Sequence, residues 1–198
     1  MGELHGRLYF APQIPMESVP LDDPHALVEA VERRIEGFFV RPIRKLEELP
    51  DTETGALFAS ALLVAALIES TARLDGLPGS QSSIAAWLEA RVDGMSREVV
   101  IRGKPSTVAA VFETRFRHAL AHEGYVASRG RLSRELSGIY DIDGDIVTLN
   151  PFALSNAVRD AIDVWMRELR SGSRDIGAFQ YRVRTQFEEE VRAVQRAG

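Results

Sequence analysis

Within the stretch RFRHALAHEG, residues 115–124, two arginines and two of the chain's four histidines fall together. Imidazole is the side chain that gains and loses a proton near neutral pH, and guanidinium is a permanent cation that grips phosphate or carboxylate through paired hydrogen bonds. Together they can move protons and hold an anion, the two tasks of a phosphoryl-transfer site. His118 and His122 stand four apart and so lie one above the other on a helix face. Such a pair also suits a metal ion, with Glu69 as a third ligand. Donors for that are scarce: Ala119 stands where a metalloprotease helix carries Glu, Cys is absent, and the other histidines, His5 and His25, lie near the N-terminus. No metal is expected.

What these side chains can do depends on the elements that carry them. At about 100° per residue, Val108, Phe112, Phe116 and Ala119 make one apolar stripe. Arg115, His118 and His122 make a second stripe beside it, and Arg117 falls on the far flank, within reach through its long side chain. Polar groups bordering a core stripe suit a cleft edge, a subunit interface or an ordinary helix flank. The helix is expected to begin at Pro105-Ser106 and to stop at Gly124.

The rest of the chain reads as helices with clear punctuation. Asp23-Pro24 is a helix start, and Leu27, Val31, Ile35, Phe38 and Phe39 follow at helical spacing until Pro42 should bend or break the helix. A second helix opens at Pro50-Asp51 and runs to Asp75-Gly76. It is apolar nearly all round over residues 56–68, as a buried central helix is, and that run is too short for the roughly 20 residues a bilayer needs. A short helix carries Trp87, Leu88 and Val92. Residues 138–149 alternate around Asp143-Gly144 as a β-hairpin does. Asn150-Pro151 caps a fifth helix, and Phe179, Val183, Phe187 and Val191 mark a last one. The expected fold is all-α, a bundle of about five to six helices with a small β-hairpin insertion. An N-terminal arm, residues 1–22, ordered or loose, precedes a single domain, residues 23–198.

Composition narrows the function. The 198 residues are 45% hydrophobic and 27% charged, as in a soluble globule, and nothing resembles a signal peptide. Without Cys there is no thiolate site and no Cys nucleophile, which suits a reducing, cytoplasmic setting. A net charge of -5 argues against a generic nucleic-acid coating protein. Yet Arg97, Arg102, Lys104, Arg115, Arg117, Arg129, Arg131 and Arg134 gather mid-chain, enough for a local phosphate-binding patch. Asp141, Asp143 and Asp145 alternate as in a calcium loop, but Gly144 takes the fourth position rather than the sixth, and Phe152 stands where a bidentate Glu belongs. They make a turn. No phosphate-cradling glycine loop and no nucleophile elbow occurs.

The run Arg117-His118-Ala119-Leu120-Ala121-His122-Glu123-Gly124 resembles the signature of the HEPN superfamily (higher eukaryotes and prokaryotes nucleotide-binding): an Arg, a polar residue, three residues, then a His. An apolar helix with an internal acid precedes it, LLVAALIESTARL, and a small turn or hairpin follows, so the resemblance spans roughly residues 23–169. It implies a metal-independent endoribonuclease, active as a homodimer whose motif helices face each other across a shared cleft. His122 would be the catalytic histidine, Arg117 the motif arginine and His118 the intervening polar residue. RNA carries its own nucleophile, the 2′-OH, so such a site needs no cofactor. Arg115, with six residues between it and His122, is an alternative motif arginine, favoured by helical phasing, and otherwise a substrate-binding group. Glu69, costly alone in so apolar a helix, either touches substrate or forms an ion pair with Arg73 or Arg117. Toxin branches of the superfamily often place Tyr two residues after the His. Here that position is Gly124 and Tyr125 follows, which departs from that arrangement. The expected setting is a prokaryotic defence, stress or toxin system in the cytoplasm. RNA, a second copy of the chain and an antitoxin or other neutralising protein are the expected partners, with no membrane. The alternative is a non-catalytic module that binds nucleotide or RNA or mediates assembly.

Overall fold

The computed structural model of the chain describes residues 2–4, 7–50, 54–76, 83–122, 126 and 129–197, the side chains of residues 2–4, 7, 54, 83, 121, 122 and 197 excepted. The chain divides into two compact units, the first comprising residues 1–42, 73–76 and 162–198, the second residues 43–72 and 77–161. In chain order the described elements begin with strands β1 (Gly2–Leu4), β2 (Arg7–Ala11) and β3 (Ile14–Pro15). Helices α1 (Pro24–Ile35), α2 (Arg41–Glu47), α3 (Thr54–Asp75) and α4 (Ser83–Arg91) follow, then strands β4 (Glu98–Ile101) and β5 (Lys104–Thr107). Next come helices α5 (Val108–Phe112) and α6 (His118–His122), strands β6 (Gly130–Leu132), β7 (Tyr140–Asp143) and β8 (Ile146–Leu149), and helices α7 (Pro151–Ser171) and α8 (Ile176–Ala197). Two π-turns, residues 36–40 and 113–117, carry α1 into α2 and α5 into α6 without a break. The described chain is thus mostly helical, six continuous rods with three small sheets where the sequence signalled one hairpin.

In the first unit Asp23 caps α1, its carboxylate accepting from the N–H groups of His25 and Ala26 at 3.0 Å. Pro42 does not end the helix. The N–H of Arg41 reaches back to Glu36, five residues away, and this widened turn takes up the distortion that a proline in a regular helix would force. The N-terminal segment carries core residues: Phe10 and Met16 are fully buried, and the Phe10 ring meets Phe187 of α8 edge-on at 5.1 Å. The Arg34 guanidinium lies 5.0–5.3 Å from the ring centres of Phe10, Phe38 and Phe187 and donates to the Phe10 carbonyl; burial holds it below its usual pKa. Along α8, Phe179, Val183, Phe187 and Val191 all turn inward, and Phe179 meets Trp165 at 5.8 Å.

In the second unit Val64, Leu67 and Ile68 of α3 are fully buried, but Leu62 is 37% exposed and Ala66 lies open. The helix is therefore covered on one side rather than all round. The span 55–75 has the length and mean hydropathy, 1.7, that a membrane span also has, and half of that apolar window is buried within the protein. The expected helix start at Pro105-Ser106 is instead a strand: β5 pairs antiparallel with β4, and Pro105 faces Val100. In a two-stranded sheet a proline can turn its missing donor outward, so the composition that reads as a helix start fits an edge equally well. Thr107 then caps α5, accepting from the Ala110 N–H at 3.1 Å. The hairpin expected at 138–149 forms as β7 and β8 around Gly144, whose φ of +54° suits glycine in a tight turn. A third strand, β6, lies parallel to β8 on its other side. Asn150 caps α7 as expected, through Phe152 and Ala153 N–H at 3.0 and 3.2 Å.

Candidate functional site

The site is organised by the rod that runs from Val108 to His122. Its apolar stripe forms as read from the spacing: Val108, Phe112, Phe116 and Ala119 are all at most 3% exposed, and the Phe112 and Phe116 rings stack at 6.2 Å. The π-turn at 113–117 interrupts the regular ladder between them. Thr114 donates its hydroxyl to the Ala110 carbonyl at 2.9 Å, a back-bond that competes with the helix's own hydrogen bonding.

The two arginines of this turn leave the rod toward different anchors. Arg117 reaches α3, where its Nε and Nη2 donate to the same oxygen of Glu69 at 3.2 and 2.7 Å. Both side chains keep about a quarter of their surface, 24%, open to solvent. Of the two partners the sequence offered Glu69, Arg117 is thus one that it takes. Arg115 instead donates through Nη1 to the backbone carbonyl of Asp145 at 2.7 Å. His118 is exposed. The backbone of His122 closes α6, and its side chain lies outside the described residues, as do Gly124 and Tyr125.

Asp145 gathers more than Arg115. Its Oδ1 accepts from the backbone N–H of Arg102 at 2.7 Å, and its Oδ2 pairs with the Arg129 guanidinium. The Arg102 N–H, and then the charges of Arg129, Arg102 and Arg115, hold the Asp145 carboxyl below its ordinary value of 3.8, against a smaller opposing effect of burial. Arg115 is held below the usual arginine value, first by burial and then by the like charge of Arg102. It remains a cation. The role of Asp145 was illegible in the sequence, where the DxDxD alternation pointed only to a turn or a calcium loop. Arg102 and Arg129 did stand out, as members of a basic cluster. Of that cluster, Arg134 is engaged elsewhere: it donates to the carbonyls of Glu47 and Leu49 and lies over the Phe152 ring at 5.0 Å. Arg97, Lys104 and Arg131 are exposed.

Among the described residues no three His, Asp or Glu side chains converge as metal ligands do. Two open clefts, of about 440 and 320 Å³, lie in the first unit; the larger is lined by Pro12, Glu32, Arg33, Glu36 and Arg41, and neither includes a residue of the 115–124 segment. Comparison of the chain with family models, with curated proteins and with solved structures gives no match.

Proposed function

We propose that the protein is a metal-independent endoribonuclease whose centre is the Arg117–His122 segment. In this reading the 2′-OH of RNA attacks the adjacent phosphorus, the 5′-oxygen leaves, and the products carry a 2′,3′-cyclic phosphate and a 5′-OH. His122 moves the proton, with imidazole suited to neutral pH. Arg117 stabilises the charge that builds on the phosphoryl oxygens. His118, exposed on the next turn, and Arg115 contact the substrate. The observation that carries this reading is the state of Arg117. Glu69 fixes one edge of its guanidinium, while Nη1 has no partner among the described residues, so a rigidly held cation offers donors five residues before a histidine. Glu69 is then a positioning residue.

The protein would act as a homodimer, with a twofold contact bringing a second α5–α6 rod against the first. A strictly monomeric species by light scattering at micromolar concentration contradicts that part. The setting that fits is a prokaryotic defence, stress or toxin system in the cytoplasm, held in check by a neutralising partner. The Arg117–Glu69 pair also favours a second reading, a non-catalytic RNA-binding module in which the motif arginine serves as an internal ion pair. Incubation with RNA in the presence of EDTA separates the two. Cleavage that persists with chelator, leaves cyclic phosphate ends and fails on 2′-O-methyl RNA supports the nuclease; binding without cleavage leaves the module.

A further inference from the structure

We infer that Arg102, Arg115 and Arg129, gathered around Asp145, form a binding site for the phosphodiester backbone of single-stranded RNA. The inference takes from the proposed function only the choice of RNA as the strand. Its first ground is charge. Three arginines meet one aspartate on a tight turn, Arg129 through its guanidinium at the carboxylate, Arg115 through its guanidinium at the backbone carbonyl and Arg102 through its backbone N–H, so one carboxylate faces three positive charges. Burial first, and then the like charges of Arg102 and Arg129, hold Arg115 below its usual value against the opposing charge of Asp145.

The second ground is where the surplus sits. Arg102 touches Asp145 through its backbone N–H alone, and its exposed guanidinium has no partner among the described residues. Arg129 keeps 49% of its side chain open. Lys104 and Arg131, close by in sequence to Arg102 and Arg129, are exposed as well. Cations that existed only to hold the hairpin would be neutralised by it. These are anchored at one end and presented at the other.

The third ground is conformational. Three described non-glycine residues have left-handed backbone, and two of them are Arg102 (φ 53°) and Arg129 (φ 71°). That conformation is unfavourable for a side-chain-bearing residue. Glycine would fit both places better for folding alone, yet both are arginine. An open surface of arginines with no enclosing wall suits a strand that runs across it, gripped at successive phosphates and read without base selectivity.

Arg102→Gly tests this cleanly, because it keeps the N–H that ties Asp145 and relieves the left-handed backbone. The probe is a fluorescein-labelled 2′-O-methyl oligouridine, which the protein cannot cleave, followed by anisotropy across a salt titration. The variant should bind about tenfold more weakly, as loss of one charge-assisted contact implies. The slope of log affinity against log salt should fall by about 0.7, while the Tm stays level or rises. Unchanged affinity and slope in the folded variant overturns the site, as does displacement of the oligomer by inorganic phosphate at equal phosphate concentration. The two claims fail separately. If ordinary RNA is not cleaved but binding depends on Arg102, the nuclease is lost and the site stands. If cleavage is normal and binding ignores Arg102, the site is lost and the nuclease stands.

Discussion

Glu69 holds one arginine, Arg117, through a single carboxylate oxygen, whereas Asp145 meets three arginines. The first arrangement is a pair, partly buried and close to neutral, set in the middle of an apolar helix. The second is a lopsided cluster on a turn, with more cation than anion and most of the cation exposed. Both draw an arginine from the same π-turn. The difference assigns them different work. A matched pair holds one group still at the cost of its freedom, which is what a transition-state contact requires. An unmatched cluster attracts a polyanion and releases it with salt, which is what substrate capture requires.

The largest effect expected from breaking this contrast comes from Arg117→Ala. It should slow turnover on RNA by about 10²–10³-fold. It should also cost about 1–3 kcal/mol of stability in urea unfolding, because two charge-assisted hydrogen bonds to the partly buried Glu69 carboxylate are lost. Adding Glu69→Gln to that variant should restore stability and leave turnover low. Recovery of both together means the pair is structural and Arg117 takes no part in the reaction.

Arg115→Ala should do the reverse, with KM rising about fivefold, the salt slope falling by about 0.7 and kcat nearly unchanged. A turnover at saturating RNA that falls further for Arg115→Ala than for Arg117→Ala makes Arg115 the working arginine.

The smallest effect is acid sensitivity. Asp145 is held below its ordinary value, so its contribution is present at neutral pH and is lost as the pH falls below about 4 through the depressed folded value. Asp145→Asn should flatten that part of the stability-against-pH curve, read from Tm between about pH 5 and pH 2. A curve that keeps its full acid slope in this variant shows that the tie to Arg102 and Arg129 does not form in solution.

Much of this was legible in the sequence, and the exceptions share a cause. The helix starts at Asp23 and Asn150, the four-residue spacing along α8 and the hairpin at Gly144 are local signals, and each produced the element it announced. The π-turns were not legible. Uniform phasing at 100° per residue treats residues 108–122 as one regular helix and contains no sign of the wider turn at 113–117. The strand β5 was hidden because a proline followed by Ser and Thr suits a helix start and a sheet edge alike. Strand β6 pairs in parallel with a strand that lies beyond an intervening one, a non-local choice no short window contains. For the site, residue types identified Arg117 and Glu69 as a possible pair. The convergence on Asp145 needed the fold, since Arg102 lies 43 positions from it and Arg115 lies 30.

The most direct test of the central claim is a comparison of wild type with His122→Ala on RNA, both with excess EDTA. The account predicts chelator-resistant cleavage by the wild type, a loss of about 10²–10⁴-fold in the variant, and thermal unfolding of the variant within a few degrees of wild type. Cleavage that vanishes with EDTA, or that persists undiminished in a folded His122→Ala protein, contradicts it.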